Sequence, residues 1–496
     1  MIVFNPKFLR LSLGILPLIF VGNILFAQEA PLVLSLNETI QKARENSPSY
    51  YRAENTAENR YWNFRQFRAG NLPQLTFNGT LPYYSSAIER VEQNDGTYAF
   101  PQRAQTYLAG ELSLDQNVPF TGGLFSISSG LQQTTVYQPS SRQDYFSTPV
   151  SFSYFQPMVL YNRQKWENKI QPLLYKESKQ AFDEDMERIA IEASNLYFDA
   201  LAAKINRDIA ELNVSNNDTL FVISKGRYNL GKIAENDLLQ MELNLLNAKN
   251  QLSSSDLNYE VAAQALKRYL QIPTDQPLEL AVPTNVPVVE VPLAEAMDMA
   301  RSNRSSVLEF RRRRLEAEQN IAEARGQTNY NLNIRANLGV SRQGDELNQV
   351  YSDPLKQQSL TVGVTIPIVD WGQSKSMIRR AKANRDLIEV DVQQDEINFE
   401  QEIFLQVKRF NIQASQLETA AKADTIAQKR YEVTKARYLI GKISITDLNI
   451  AQEEKDRARF DHINALRAYW VSYYTVRSLT LYDFIKKQPI DYEVSF

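Results

Sequence analysis

The chain has 496 residues, 43% of them hydrophobic and 23% charged, with a formal net charge of −3, a near balance that argues against a dedicated nucleic-acid surface. It contains no cysteine and a single histidine, His462, which excludes disulfides and an N-terminal lipidated cysteine and leaves almost no material for a histidine-based triad or a zinc site. Its 7 methionines do not cluster and no Gly-rich loop ends in Lys-Ser or Lys-Thr, so neither a soft-metal path nor nucleotide hydrolysis is expected of this chain.

Residues 1–27 open with Lys7 and Arg10, run through an apolar stretch over 11–26 and end at Ala27, the pattern of a secretory signal peptide. A membrane anchor is the competing reading, but Pro17 interrupts the run and the run is short for a bilayer crossing. Leu25, where a small residue is usual, leaves the cleavage point open by a few positions. Beyond it no run of about twenty apolar residues remains, so any bilayer crossing has to use strands.

Residues 72–158 supply candidates. Leu75, Phe77, Gly79, Leu81 and Tyr83 alternate with Gln74, Thr76, Asn78 and Thr80, a two-residue period about as long as a tilted membrane strand. The pattern returns at Leu108, Leu112 and Leu114 against Glu111, Ser113 and Asp115, at Phe125 and Ile127 against Ser126 and Ser128, and at Val150, Phe152 and Tyr154 against Ser151 and Ser153. Two more such segments lie within 330–368, at Leu332 to Val340 and Leu360 to Ile366. The connections at 84–103, 138–146 and 342–358 read as long and polar, that at 119–123 as a tight turn. A soluble sheet with one wet face is the competing reading, but the helices between these strands need their own apolar stripes for each other. Six strands cannot close around water, so a pore requires several copies of the chain. A trimer would give twelve strands if four per chain line the wall, or eighteen if all six do.

Long helical arms flank each strand set. Phe182, Met186, Ile189, Ala193, Leu196, Ala200 and Ala203 step by four and three, as do Ile403, Val407, Phe410, Ala414, Leu417 and Ala421. This is coiled-coil spacing, and an arm of roughly 60 residues is about 90 Å long, too long for the core of a compact globule. A coiled-coil rod would explain the arms but not their junction to alternating strands at Pro157 and Pro367. Trp62, Phe64 and Phe67 before the first strand, and Trp371 after the last, suit either a membrane interface or inter-helix packing. The basic run at 311–314 sits among Glu309, Glu316 and Glu318 and reads as a solvated helix face. Five prolines over 273–292 mark an extended linker, read as part of a belt around the arms, and 483–496 is a polar tail.

The chain is an internal duplication. Residues 225–239 and 435–449 agree at eight of fifteen positions at an offset of 210, as do Pro157 and Pro367. Leu36, Ala43, Arg44, Asn46, Arg68 and Leu75 pair instead with Leu293, Ala300, Arg301, Asn303, Arg325 and Leu332 at an offset of 257, which places a 47-residue excess between Leu75 and Pro157. The expected division is a first repeat at 28–272 with a hairpin tip at 226–233, the linker at 273–292, and a second repeat at 293–482 with its tip at 436–443. Gly231 and Gly441 are the residues expected to close those tips with positive φ.

The paired Arg-Tyr-x-x-Gly tips with an Asp six residues after each glycine, the Arg-Ala-Gly-Asn-Leu-Pro-Gln run at 68–74, the strand-to-helix prolines and the signal pattern resemble the TolC-like outer membrane efflux protein family over essentially the whole mature chain. The resemblance implies an α+β membrane protein: a homotrimer whose outer-membrane β-barrel is continuous with a long periplasmic α-helical barrel, two structural repeats per protomer. It further implies a passive duct of a tripartite system, opened by a periplasmic adaptor (membrane fusion) protein and powered by an inner-membrane transporter of RND or ABC type, with RND-type efflux of drugs or small molecules expected first. A type I polypeptide secretion outlet and a poreless periplasmic coiled-coil scaffold are the alternatives. No catalytic residue, cofactor or metal is expected.

Carried over position by position, Arg227, Tyr228, Gly231 and Lys232, with Arg437, Tyr438, Gly441 and Lys442, fall where the family's tips meet the adaptor. Asp447 falls where the family places an acidic ring at the periplasmic constriction, and Asp237 where it places a carboxylate that helps hold the closed state. The chain departs from the family at Ile443, where a locking arginine is sometimes found, and at Ile450, where a second acidic residue is often found; Arg227 or Lys442 could substitute. On the residues alone, Asp447 reads either as a cation-attracting ring or as an acidic side chain at the start of the return helix, and the two tip tyrosines either as docking or as packing residues.

Overall fold

A computed structural model describes residues 32–492 apart from Pro139, Val288 and Asn329. The expected signal segment and the last four residues of the tail lie outside the described residues. The duplication is visible element by element. Helices α1 (Leu36–Asn46), α2 (Pro48–Gly70), α3 (Arg163–Asn229) and α4 (Glu235–Tyr269) are repeated as α5 (Leu293–Asn303), α6 (Ser305–Thr328), α7 (Gln373–Leu439) and α8 (Ile445–Thr480). Both α3 and α7 run for 67 residues, about 100 Å at 1.5 Å per residue. Local signals set the short helices: Ser35 forms a capping box with Glu38 at the start of α1, and Ser47 caps α2 with Pro48 behind it.

Six strands interrupt the two helical sets: β1 (Gln74–Ile88), β2 (Gln102–Val118), β3 (Gly123–Gln138), β4 (Arg142–Gln156), β5 (Asn331–Gly344) and β6 (Leu355–Thr365). They form one antiparallel sheet in strictly sequential order, with β1 and β6 at its free edges. The 47-residue excess of the first repeat is therefore one hairpin, built into the sheet. Leu75, Leu114, Ile127, Phe152 and Leu338 oppose one another across five strands, and all but Ile127 are exposed. The next row on the opposite face is Thr76, Ser113, Ser128, Ser151, Gly339 and Gln357. On β6 the apolar row meets Gln358, and that face continues there as the exposed Leu360, Val362 and Val364, so along these rows one face is mainly apolar and unpacked and the other mainly polar.

Prolines and connections explain the departures from the sequence reading. Register shifts fall around Pro82 in β1 and around Pro149 in β4, where an imide nitrogen that cannot donate to a ladder is tolerated in a bulge. The stretches read as long polar connections at 84–103 and 138–146 are largely ladder. Strand β1 runs on to Ile88, Val91–Glu92 pairs with Tyr98–Ala99 beyond it, and only 139–141 separate β3 from β4. Alternation of polarity ends where an apolar environment ends, but backbone pairing does not. At the opposite end of the sheet, the Asn162 side chain donates to Pro119 O at 2.9 Å and Phe120 O at 3.0 Å while accepting from Lys165 N at 2.9 Å, so one residue ties the β2–β3 turn to the start of α3.

The helices form one open layer. Near the sheet its order is α2–α3–α6–α7, and farther away α4–α3–α8–α7. Phe64 of α2 stacks on Tyr175 of α3 with ring centroids 4.6 Å apart, so that aromatic serves packing; Trp371, at the foot of β6, is nearly fully exposed. The main core lies where α1, α5 and the linker wrap the middles of α3, α7 and α8. There Leu32–Leu34 pairs in parallel with Leu278–Leu280, and the Asn411 amide clamps both the N–H and the C=O of Val291 at 3.0 Å.

The tail closes this belt. Glu187 is wholly buried on α3, accepting from Arg44 at 2.8 Å, from Arg477 at 2.9 Å and from the Tyr492 hydroxyl at 2.5 Å; Arg477 also binds Asp483 at 2.8 Å. Four segments distant in sequence are fastened through one carboxylate whose charge is compensated twice. Beside it, the Asp183 carboxylate accepts from Tyr492 N at 2.9 Å, and burial pushes its pKa up to about 7. The folded value lies above the ordinary 3.8, so the folded chain holds more protons between the two, and this contribution to stability is present at low pH and lost as pH rises through about 7. Thermal melting of the detergent-solubilised protein should therefore fall between pH 5 and pH 8. Asp183→Asn should flatten that dependence and melt higher than the parent at pH 8.

Candidate functional site

The two hairpin tips are built by the same backbone device. Gly231 and Gly441 have φ of +69° and +74°. At the first tip Lys232 N donates to Arg227 O at 2.9 Å and Gly231 N to Tyr228 O at 2.8 Å. At the second, Lys442 N donates to Arg437 O at 3.0 Å and Gly441 N to Tyr438 O at 2.9 Å. These are paired Schellman motifs, and they require the glycines because a side chain at that φ is strained. Leu230 and Ile440, each just before its glycine, are left exposed among Lys232, Arg437 and Lys442.

The side chains around the two turns differ. Tyr228 is exposed, whereas Tyr438 is buried with Leu220, Met241, Tyr431, Leu448 and Ala451 in a small core that joins both hairpins. Its hydroxyl lies 3.4 Å from Ser224 Oγ. Tyr438 is accordingly a packing residue, and of the tip residues read as docking candidates it alone is inaccessible. Arg227 reaches across the gap: its Nη2 donates to Leu439 O at 2.6 Å, at the carbonyl end of α7, and its guanidinium lies 5.7 Å from the Tyr438 ring centroid. A cation at a helix C-terminus satisfies an orphan carbonyl and complements the helix dipole.

The two aspartates differ too. Asp447 is residue N3 of α8 in a reciprocal capping box: its N–H donates to Ser444 Oγ at 3.2 Å while its carboxylate accepts from Ser444 N at 3.2 Å and Ser444 Oγ at 2.8 Å. It is nonetheless exposed. Asp237 holds the same place on α4, but Ala234 at the cap has no side-chain oxygen, so no box forms. Lys455, absent from the sequence reading, is buried on α8, 3.0 Å from Asp456 and 4.4 Å from the Tyr431 ring centroid. The detectable signal was a lysine at the heptad step after Leu448 and Ala451.

The polar face of the sheet is the second candidate surface. Its hydroxyls and carboxylates bond along and across strands: Thr76 to Ser113 at 2.8 Å, Ser113 to Asp115 at 3.1 Å, Ser126 to Asp115, and Asn337 to Ser359 at 3.1 Å. Such a face is made for water. Among the described residues, no cluster of His, Cys, Asp or Glu could hold a metal ion, and no helix is long and apolar enough to cross a membrane.

The sequence model of the outer membrane efflux protein family matches residues 296–480, the repeat without the extra hairpin. No curated protein matches the chain. Among solved structures, the Campylobacter jejuni CmeC outer membrane channel is similar with a TM-score of 0.63 at 16% identity, over 92% of this chain and 87% of that one. The outer membrane protein VceC of Vibrio cholerae gives 0.62 at 13% identity, over 90% and 95%. The open state of the Neisseria gonorrhoeae MtrE outer membrane channel gives 0.58 at 15% identity, over 90% and 88%. The second repeat thus matches the outer membrane efflux protein family, and the chain over nine-tenths of its length has the fold of those channels.

Proposed function

We propose that the protein is a passive, water-filled duct of the outer membrane and periplasm, the exit of a tripartite efflux system. The observation that carries this reading is a six-stranded sheet mainly apolar on one face and mainly polar on the other, fused to a helical layer about 100 Å long. An exposed row of Leu and Phe side chains suits lipid, and the hydroxyl-rich face behind it suits a lumen. A poreless scaffold would leave that apolar face without a solvent.

Closure needs further copies, and a homotrimer is the reading favoured. One flank of the protomer consists of α2, β1 and α4, the other of β6 and α7. Both flanks carry exposed apolar stripes, at spacings of four, three and eleven for Leu239, Leu243, Leu246 and Leu257 on α4 and of three, seven and seven for Leu387, Val390, Ile397 and Phe404 on α7. Unlike flanks of this kind join head to tail into a ring. Three chains would place six tips in a circle, with Arg227, Tyr228, Gly231, Lys232, Arg437, Gly441 and Lys442 meeting an adaptor and Asp447 and Asp237 near the constriction. Energy would come from an inner-membrane transporter, RND-type first.

Planar-bilayer recording of the purified oligomer tests the duct. A closed, low-conductance parent is expected, with Arg227→Ala, which unfastens the two tips, raising the open fraction several-fold; silence in both would overturn the reading. The tip asymmetry gives a second expectation. Ala234→Ser should supply the missing capping box and stabilise the first tip by about 1 kcal/mol, slowing amide exchange over 235–238 and lowering the frequency of opening.

A further inference from the structure

Given a trimeric duct, which is the reading this inference rests on, we infer that its outer-membrane exit is an eighteen-stranded barrel, as wide as the helical tube beneath it, and that this exit admits larger neutral solutes than a twelve-stranded one would. Three observations converge. The hairpin β2–β3 is bonded on both sides, β2 to β1 and β3 to β4, so it cannot leave the wall without breaking two ladders. A four-stranded protomer would need β1 against β4, and those strands are separated by two others. The apolar row crosses the hairpin through Leu114 and Ile127 as it does its neighbours.

The edges point the same way. Strands β1 and β6 each present an unpaired ladder, and in hydrocarbon such groups are not left open, so β6 of one protomer pairs with β1 of the next. Strand β6 contains no proline over its 11 residues, about the length needed to cross a bilayer. The third observation is one of width. Six strands spaced about 4.8 Å apart and tilted about 40° cover about 38 Å of circumference, and four helices at interaxial distances of about 9.5 Å cover the same. Four strands would cover about 25 Å and force a taper at the junction. An eighteen-stranded wall has a backbone diameter of about 36 Å against about 24 Å for twelve strands. The size limit then lies at the tips, and the exit surface is mostly uncharged hydroxyl and amide: Thr76, Ser113, Ser128, Ser151, Asn337 and Ser359.

The absence of cysteine makes disulfide mapping unambiguous. In oxidised trimers the pairs Thr76→Cys with Ser113→Cys and Ser128→Cys with Ser151→Cys should cross-link within one chain, while Thr76→Cys with Ser151→Cys should not. Thr76→Cys combined in turn with cysteines along 355–365 should yield a covalent trimer at one register. Cross-linking of the 76–151 pair, or no covalent trimer at any register, overturns the wide barrel. Polymer exclusion gives the functional measure: neutral polyethylene glycols added on the sheet side should enter at sizes a twelve-stranded bore excludes, and exclusion at the smaller size overturns the proposal. A conducting trimer with the 76–151 link would leave the duct standing and remove only its width, whereas a non-conducting protein would remove both.

Discussion

A backbone amide or carbonyl in hydrocarbon has no water to turn to, and most of this architecture answers that fact. It dictates a sheet whose ladders run unbroken from β1 to β6, and it sends Pro82 and Pro149 to bulges. It also makes a single protomer incomplete. The free edges of β1 and β6 are the two places where the rule is unmet within one chain. In the proposed duct, assembly into a closed ring would therefore be a requirement of the backbone before it is a preference of any side chain.

Below the sheet the physics changes, because water returns and helices satisfy their own backbones. What must be hidden there is the apolar stripe of each long helix. An open layer one helix thick cannot hide both faces of a stripe, so the chain adds thickness once, at the belt, where the linker and tail pack on α3, α7 and α8 around Tyr197, Phe410 and Tyr469. The wholly buried Glu187, with Arg44 and Arg477 on it, makes this the point where the two repeats are locked together. The larger core therefore lies at mid-length, and only a small one lies near the tips.

Much of this was legible in the sequence because it is periodic. The two-residue period located six strands, the three-four steps located the arms, and the offsets of 210 and 257 located the inserted hairpin. The ends of β1, β2 and β4 were not legible, because beyond the apolar zone Ser85, Gln105 and Gln143 carry no alternation and only the ladder keeps them in strand. The tips were half legible. Gly231 and Gly441 announced their turns through local chemistry, but the bond from Arg227 to Leu439 spans 212 residues and leaves no local trace. Burial of Tyr438 and exposure of Tyr228 likewise depend on which hairpin lies alongside, which no motif records.

Divergence between two copies of one ancestral unit separates geometry from control. The features both repeats keep, the 67-residue arms and the glycine turns, are those that the proposed tube with its ring of tips would need. The features that differ sit where a symmetric ring would have no reason to differ. The second tip is fastened by Ser444 and Asp447 and by the buried Tyr438, while the first has Ala234 at its cap and an exposed Tyr228. A loosely capped helix end opens at lower cost than a capped one. In the proposed duct the first hairpin would be the element that swings, and the second the post it swings against. Arg227, reaching from the first tip to the carbonyl end of α7 at the second, is the contact that such a motion would have to break.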